Sequence, residues 1–174
     1  MNLWPDLREV LRDIPWTIVG GVATRAYMPE RMTKDLDVLV RQVDGDEVIN
    51  RLQNGGFTLV SRLAIPGCLL RSPEGIELDV LFGNYPWLDD ALKQIAIDPA
   101  GLPVLGLPYL VLMKMAAMRA QDWADISRML GHATDEILNE VRAIVARYSP
   151  EDSGDLESLI FIGQKECEQP PAAE

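Results

Sequence analysis

The sequence predicts an α/β (α+β) chain, a mixed β-sheet core followed by a helical part. Three observations carry this. Short β-branched and apolar runs dominate up to Phe82, helical periodicity dominates after Pro108, and Gly- or Pro-rich corners separate the runs. Pro5 to Arg12 reads as a short helix, and Trp16 to Val19 as a strand ending at Gly20-Gly21. Val22 to Tyr27 then reads as a helix closed by Pro29, and Leu36 to Val40 as the next strand. Asp44 is the expected N-cap of a helix over Gly45 to Gln53, which Asn54-Gly55-Gly56 ends. Phe57 to Ser61, Cys68 to Arg71 and Ile76 to Phe82 complete the strands of the first half, with Ser72-Pro73-Glu74-Gly75 as a hairpin turn.

After a short helix over Trp87 to Ile95 and an extended piece over Leu102 to Leu105, Pro108 stands where a helix can begin. The longest periodic segment runs from Tyr109 to Leu130. Asp135 to Tyr148 follows, behind Thr134 as N-cap, and then Asp155 to Ile162. The expected organisation is an α/β core over 1–98, a helical part over 99–163 and a disordered acidic tail over 164–174.

Composition narrows the function classes. The chain has 174 residues, 48% of them hydrophobic, enough for the core of one compact domain with appended helices. No apolar run approaches membrane-spanning length, and Met1 to Asp13 mixes charges in place of a leader pattern. A soluble protein of the cytoplasm is therefore expected, with no membrane partner. Cys68 and Cys167 are far apart, and no structural disulfide is expected of them. The net charge is −11, and residues 150–174 carry seven acids against one base, so the tail exaggerates the acidity. Without a basic stripe a large nucleic-acid footprint is disfavoured. His132 is the only histidine, which excludes His-based triads and zinc sites built on several histidines.

The chemistry concentrates in Ile18-Val19-Gly20-Gly21, a gap of thirteen residues, and Asp35-Leu36-Asp37-Val38. Alternation along a strand puts Asp35 and Asp37 on one face while Leu36 and Val38 point to the core. Such a carboxylate pair suits Mg²⁺, a hard cation that keeps positions open for water and phosphate. Glu77 and Asp79 alternate with apolar residues in a later strand, and Asp79 is the chosen third ligand. Plainer readings stand beside this one. Gly-Gly can be simple turn geometry, and Asp-x-Asp can decorate an exposed edge. Repulsion between two like charges on one face favours a counter-ion.

Apolar-Gly-Gly, a gap of about a dozen residues, Asp-apolar-Asp-apolar and a later strand Asp together resemble the nucleotidyltransferase superfamily that shares the DNA polymerase β palm, over residues 14 to 82. The segment Leu110 to Ile126, with Lys114, Arg119, Asp122 and Asp125, resembles the helix of the AbiEii-like, minimal nucleotidyltransferase branch, which includes toxins of toxin–antitoxin pairs. The resemblance implies a mixed β-sheet nucleotidyltransferase core with a C-terminal helical bundle. It also implies transfer of a nucleoside monophosphate from a nucleoside triphosphate, such as ATP, to an acceptor hydroxyl with release of pyrophosphate.

Asp35, Asp37 and Asp79 would then hold two Mg²⁺ ions, and Asp79 would help take the acceptor's proton. Gly20 and Gly21 would approach the triphosphate, and Thr24 would add a hydroxyl, although Gly21 replaces the serine usual directly after the first glycine. Lys114 would contact the β- or γ-phosphate, with Asp122 and Asp125 bounding the pocket or pairing with Arg119. The acceptor stays open among a small molecule, a protein and a tRNA, and an antitoxin partner is implied for the toxin branch. Arg25, Arg31 and Lys34 could steer phosphates or simply occupy a solvated loop, and a snorkelling lysine with surface ion pairs is the plain alternative for Lys114. The four methionines Met113, Met115, Met118 and Met129 are read as packing. A second function class, a non-catalytic nucleotide- or partner-binding module that retains the fold, fits the short length.

Overall fold

The computed structural model describes residues 4–29, 33 and 35–168. The chain divides into two compact units: Met1–Arg25 with Arg31–Leu105, and Ala26–Glu30 with Gly106–Glu174.

The first unit is built on β1 (Trp16–Val19), β2 (Leu36–Arg41), β3 (Thr58–Arg62), β4 (Gly67–Arg71), β5 (Glu77–Gly83), β6 (Ala96–Ile97) and β7 (Pro103–Val104), in the sheet order β3-β4-β5-β2-β1-β7-β6. The sheet is mixed: β2 runs parallel to β5 and β1 to β7, while the other neighbours are antiparallel. One face is the core. Ile18, Leu36, Val38, Val40, Leu70, Leu78 and Val80 are each at most 1% exposed, and burying side chains of this size contributes about 1.5–3 kcal/mol apiece. Helix α1 (Gly20–Ala23) leads into a 3₁₀ turn, Thr24–Ala26. Helix α2 (Gly45–Asn54) turns Val48, Ile49 and Leu52 inward, and α3 (Leu88–Lys93) buries Leu88 and Ala91.

Several local expectations change. Leu7 and Leu11 are buried as a helix would require, but their segment is a succession of turns, with the Leu11 amide donating to Leu7 O. Asp44 makes no capping hydrogen bond; its carboxylate is taken by the Arg41 guanidinium at 2.7 Å. The helix after β1 begins at Gly20 itself, two residues before the expected start. The two-residue β6 went unread because so short a run has no period to detect.

The second unit contains α4 (Leu107–Ala117), α5 (Ala120–Gly131), α6 (Asp135–Tyr148) and α7 (Ser153–Glu168). The segment read as one helix from Tyr109 to Leu130 is two, broken where Met118 adopts a left-handed conformation with φ 55°. Helix α6 matches its expected span, and the Thr134 hydroxyl accepts from the Ile137 amide. Helices α5 and α7 meet backbone to backbone: a Cβ on Gly163 would lie 1.9 Å from Ser127 O, and one on Gly131 would lie 2.4 Å from Gly163 O. Residues 164–168, assigned to the acidic tail in sequence, continue α7, and the remainder of that tail lies outside the described residues. Among the described residues no helix is long and apolar enough to cross a membrane.

Candidate active site

The site starts from register. In the parallel β2–β5 ladder Leu36 pairs with Leu78, Asp37 with Asp79 and Val38 with Val80. Paired residues share a face, so Asp37 and Asp79 stand side by side on the face opposite the Leu36, Val38, Leu78 and Val80 core. Asp35 is exposed just before β2, two residues from Asp37, while Asp37 and Asp79 are half-buried. The Asp79 carboxyl is raised above the ordinary carboxylate range, first by burial and then by the negative charges of Asp35 and Glu77.

Gly20 closes the site from β1, where Val19 pairs with Asp37. Its φ is +63°, and a Cβ there would lie 2.0 Å from Asp37 Oδ2. Gly20 is therefore required twice, by its backbone conformation and by the carboxylate lying on its Cα. Gly21 is buried in the first turn of α1. Thr24 is fully buried, and its hydroxyl donates to Gly21 O at 2.7 Å. The Thr24 hydroxyl proton is thus engaged with the backbone one turn back.

Among the described residues no three His, Cys, Asp or Glu side chains converge closely enough to cage a metal ion by themselves. Mg²⁺ does not need such a cage: one or two carboxylates suffice, with waters and substrate phosphates completing the shell. The registered Asp37–Asp79 pair, with Asp35 close enough to perturb Asp79, fits that donor chemistry.

The basic residues are placed differently from expectation. The Arg25 guanidinium donates to Asp98 Oδ2 at 2.6 Å and is only 14% exposed, so it is not a solvated steering charge. Arg31 and Lys34 lie outside the described residues. Asp98 was missed in sequence; its signal was the Asp98-Pro-Ala-Gly101 turn pattern, read only as a boundary.

In the second unit Lys114 Nζ donates to Asp122 Oδ1 at 3.0 Å and to Asp125 Oδ2 at 2.8 Å, with all three side chains at most 5% exposed. Arg119 Nε adds a 2.6 Å bond to Asp122 Oδ2, and Gln121 donates to Asp125 Oδ1. Burial pushes the Asp122 carboxyl up, but Arg119 and Lys114 outweigh it and hold the group below the ordinary range. Lys114 is thus not a snorkelling side chain: its ammonium is enclosed with Asp122 and Asp125. The break at Met118 folds α5 back so that the lysine is enclosed by the acids four and seven residues beyond the break.

No family profile matches the sequence, and no curated protein matches it either. Solved structures do. A crystal structure of ANT(2'')-Ia in complex with adenylyl-2''-tobramycin aligns with a TM-score of 0.50 at 16% identity, covering 92% of this chain and 94% of that one. A solution structure of ANT(2'')-Ia, an antibiotic-resistance factor, gives 0.50 at 13% identity over 92% and 89%. A Thermotoga maritima protein assigned as a nucleotidyltransferase gives 0.50 at 13% identity over 66% and 84%. This chain has the nucleotidyltransferase fold. At such identities the nucleotidyltransferase likeness speaks for backbone and topology, and it does not select among branches of the superfamily. Within the nucleotidyltransferase fold of this chain, the acids Asp37 and Asp79 occupy neighbouring parallel strands beside a glycine corner.

Proposed function

We propose that the chain is a metal-dependent nucleotidyltransferase that moves a nucleoside monophosphate from a nucleoside triphosphate to an acceptor hydroxyl, releasing pyrophosphate. The observation that carries this reading is the Asp37 carboxylate seated on the Cα of Gly20, with Asp79 beside it in register. Asp35, Asp37 and Asp79 are the residues that would hold Mg²⁺. When bound, Mg²⁺ would neutralise charge on the phosphates and lower the pKa of the attacking hydroxyl. The remaining chemistry belongs to the chain. Gly20 and Gly21, lacking side chains, admit the triphosphate close to the backbone. Asp79, beside Asp37 in register, would take the hydroxyl proton.

Strand placement fixes Asp37 and Asp79 without a mobile loop, which favours in-line alignment of the reacting atoms. Lys114 and Asp122 serve the helical unit in this reading, as a neutralised buried cluster and not as triphosphate ligands.

For the acceptor, a small alcohol is favoured over a nucleic acid. The net charge of −11 opposes a polyanion, and one protein of similar fold is solved with adenylyl-2''-tobramycin. A protein hydroxyl, as in a toxin-type enzyme restrained by an antitoxin, is the next choice. Incubation with radiolabelled nucleoside triphosphates, Mg²⁺ and cell extract should label a metabolite or macromolecule. Nucleotide binding with no transfer to any acceptor would support a binding module in its place.

A further inference from the structure

We infer that Arg25 and Asp98 are positioning residues for the glycine corner: a buried ion pair pins the far end of the helical segment that begins at Gly20. The inference rests on the nucleotidyltransferase reading above, because it assigns the pair to the geometry of the triphosphate site.

Asp98 divides its two oxygens between two tasks. Oδ1 accepts from the amides of Ala100 at 2.9 Å and Leu102 at 2.8 Å, while Oδ2 accepts from Arg25 Nη2 at 2.6 Å. The loop around it is closed further by the Asp98 amide donating to Leu102 O and the Gly101 amide to Asp98 O, each at 2.9 Å. Gly101 has φ +81°, as this tight reversal requires. The acceptor is therefore rigid before Arg25 meets it, and the carboxylate itself has no exposure to water.

That loop is carried by the same strand that holds the glycine corner. β7 pairs with β1 through Ile18 and Val104, and the Leu105 amide donates to Ile18 O. From β1 the chain passes Val19, enters α1 at Gly20 and reaches Arg25 in the following 3₁₀ turn. Thr24, one residue earlier, bonds back to Gly21 O. The segment Gly20–Arg25 is thus held at its start by β1 and at its end by a hairpin fastened to β1. Its start faces Asp37 at a distance that tolerates no Cβ. Movement of the Arg25 end would tilt the Gly20 and Gly21 backbone against that carboxylate. A buried ion pair rarely adds net stability over an apolar pair of equal volume. What it supplies is direction, since the guanidinium meets a carboxylate oxygen fixed in place by the loop.

The test uses the full chain and ATP·Mg²⁺ as probe. In the double variant Arg25→Met/Asp98→Asn both charges of the pair are removed together, and the Asn oxygen can keep the loop bonds. It should melt near the wild type, bind ATP·Mg²⁺ about tenfold more weakly by calorimetry, and show faster hydrogen exchange at the Gly21, Val22 and Ala23 amides. Arg25→Lys, which restores a cation, should recover part of the affinity. A purely structural role would lower the melting temperature or the competent fraction while leaving the Kd of the folded protein unchanged. A double variant with wild-type Kd and wild-type exchange overturns the inference. If the wild type binds no nucleotide, the functional reading falls instead, and exchange at those three amides decides the pinning on its own.

Discussion

Two groups of buried or half-buried carboxylates in this chain are handled in opposite ways. In the helical unit, Asp122 and Asp125 enclose Lys114, and Arg119 adds a second cation, so Asp122 is held in its charged form. In the sheet unit, Asp79 stands beside Asp37, and burial, then the charges of Asp35 and Glu77, press it toward protonation. The first arrangement is complete by itself and reads as structure. The second stores repulsion that a divalent cation and a phosphate would relieve, which is how a site gives up stability for function.

The largest expected difference between the two groups is in activity. Asp37→Ala should abolish nucleotide transfer, by about a thousandfold or more given what positioned charge contributes, while circular dichroism shows the fold retained. Next comes stability. Lys114→Met removes the buried cation that Asp122 and Asp125 share and should cost about 3–5 kcal/mol in denaturant unfolding; a loss comparable to a surface substitution would refute the enclosed cluster.

Acid should then separate the groups by sign. The folded pKa of Asp122 is depressed, so its stabilising contribution is complete above its unfolded pKa and is lost as pH falls through the folded value. Asp122→Asn should accordingly flatten the acid limb of a stability–pH profile measured by denaturant midpoints. The smallest effect is expected at the sheet. Asp79→Asn relieves repulsion and should raise the metal-free stability at neutral pH by about 0.5–1 kcal/mol. It should also diminish the thermal shift produced by Mg²⁺ alone, and a destabilised variant would mean that Asp79 holds the strand together.

Much of the sheet unit was legible because its signals are local. Alternation placed Asp37 and Asp79 away from the core, and their strands emerged within one or two residues of expectation at each end. The helical unit was less so. Period alone joined Tyr109 to Leu130, since neither Met118 nor Arg119 is a helix breaker; the break follows from tertiary demands that place Lys114 against two acids. The sequence offers Asp122 and Asp125 as bounds of a phosphate pocket or as partners of Arg119, and the Arg119–Asp122 pair is present; the enclosure of Lys114 by both acids is not among its readings. Asp98 was missed because its partner Arg25 lies 73 residues away in sequence.

The sequence by itself determined most of the strand and helix positions, the placement of Asp37 and Asp79 away from the apolar face, and the lack of a second histidine or a basic stripe. These follow from residue periodicity and composition. Tertiary structure alone decided that β2 and β5 are neighbours in the register that sets Asp37 beside Asp79, that Gly20 lies under the Asp37 carboxylate, and which cations are already committed. The physical reason is range: periodicity acts over a few residues, whereas strand pairing and buried ion pairs join residues brought together only when the chain closes on its core.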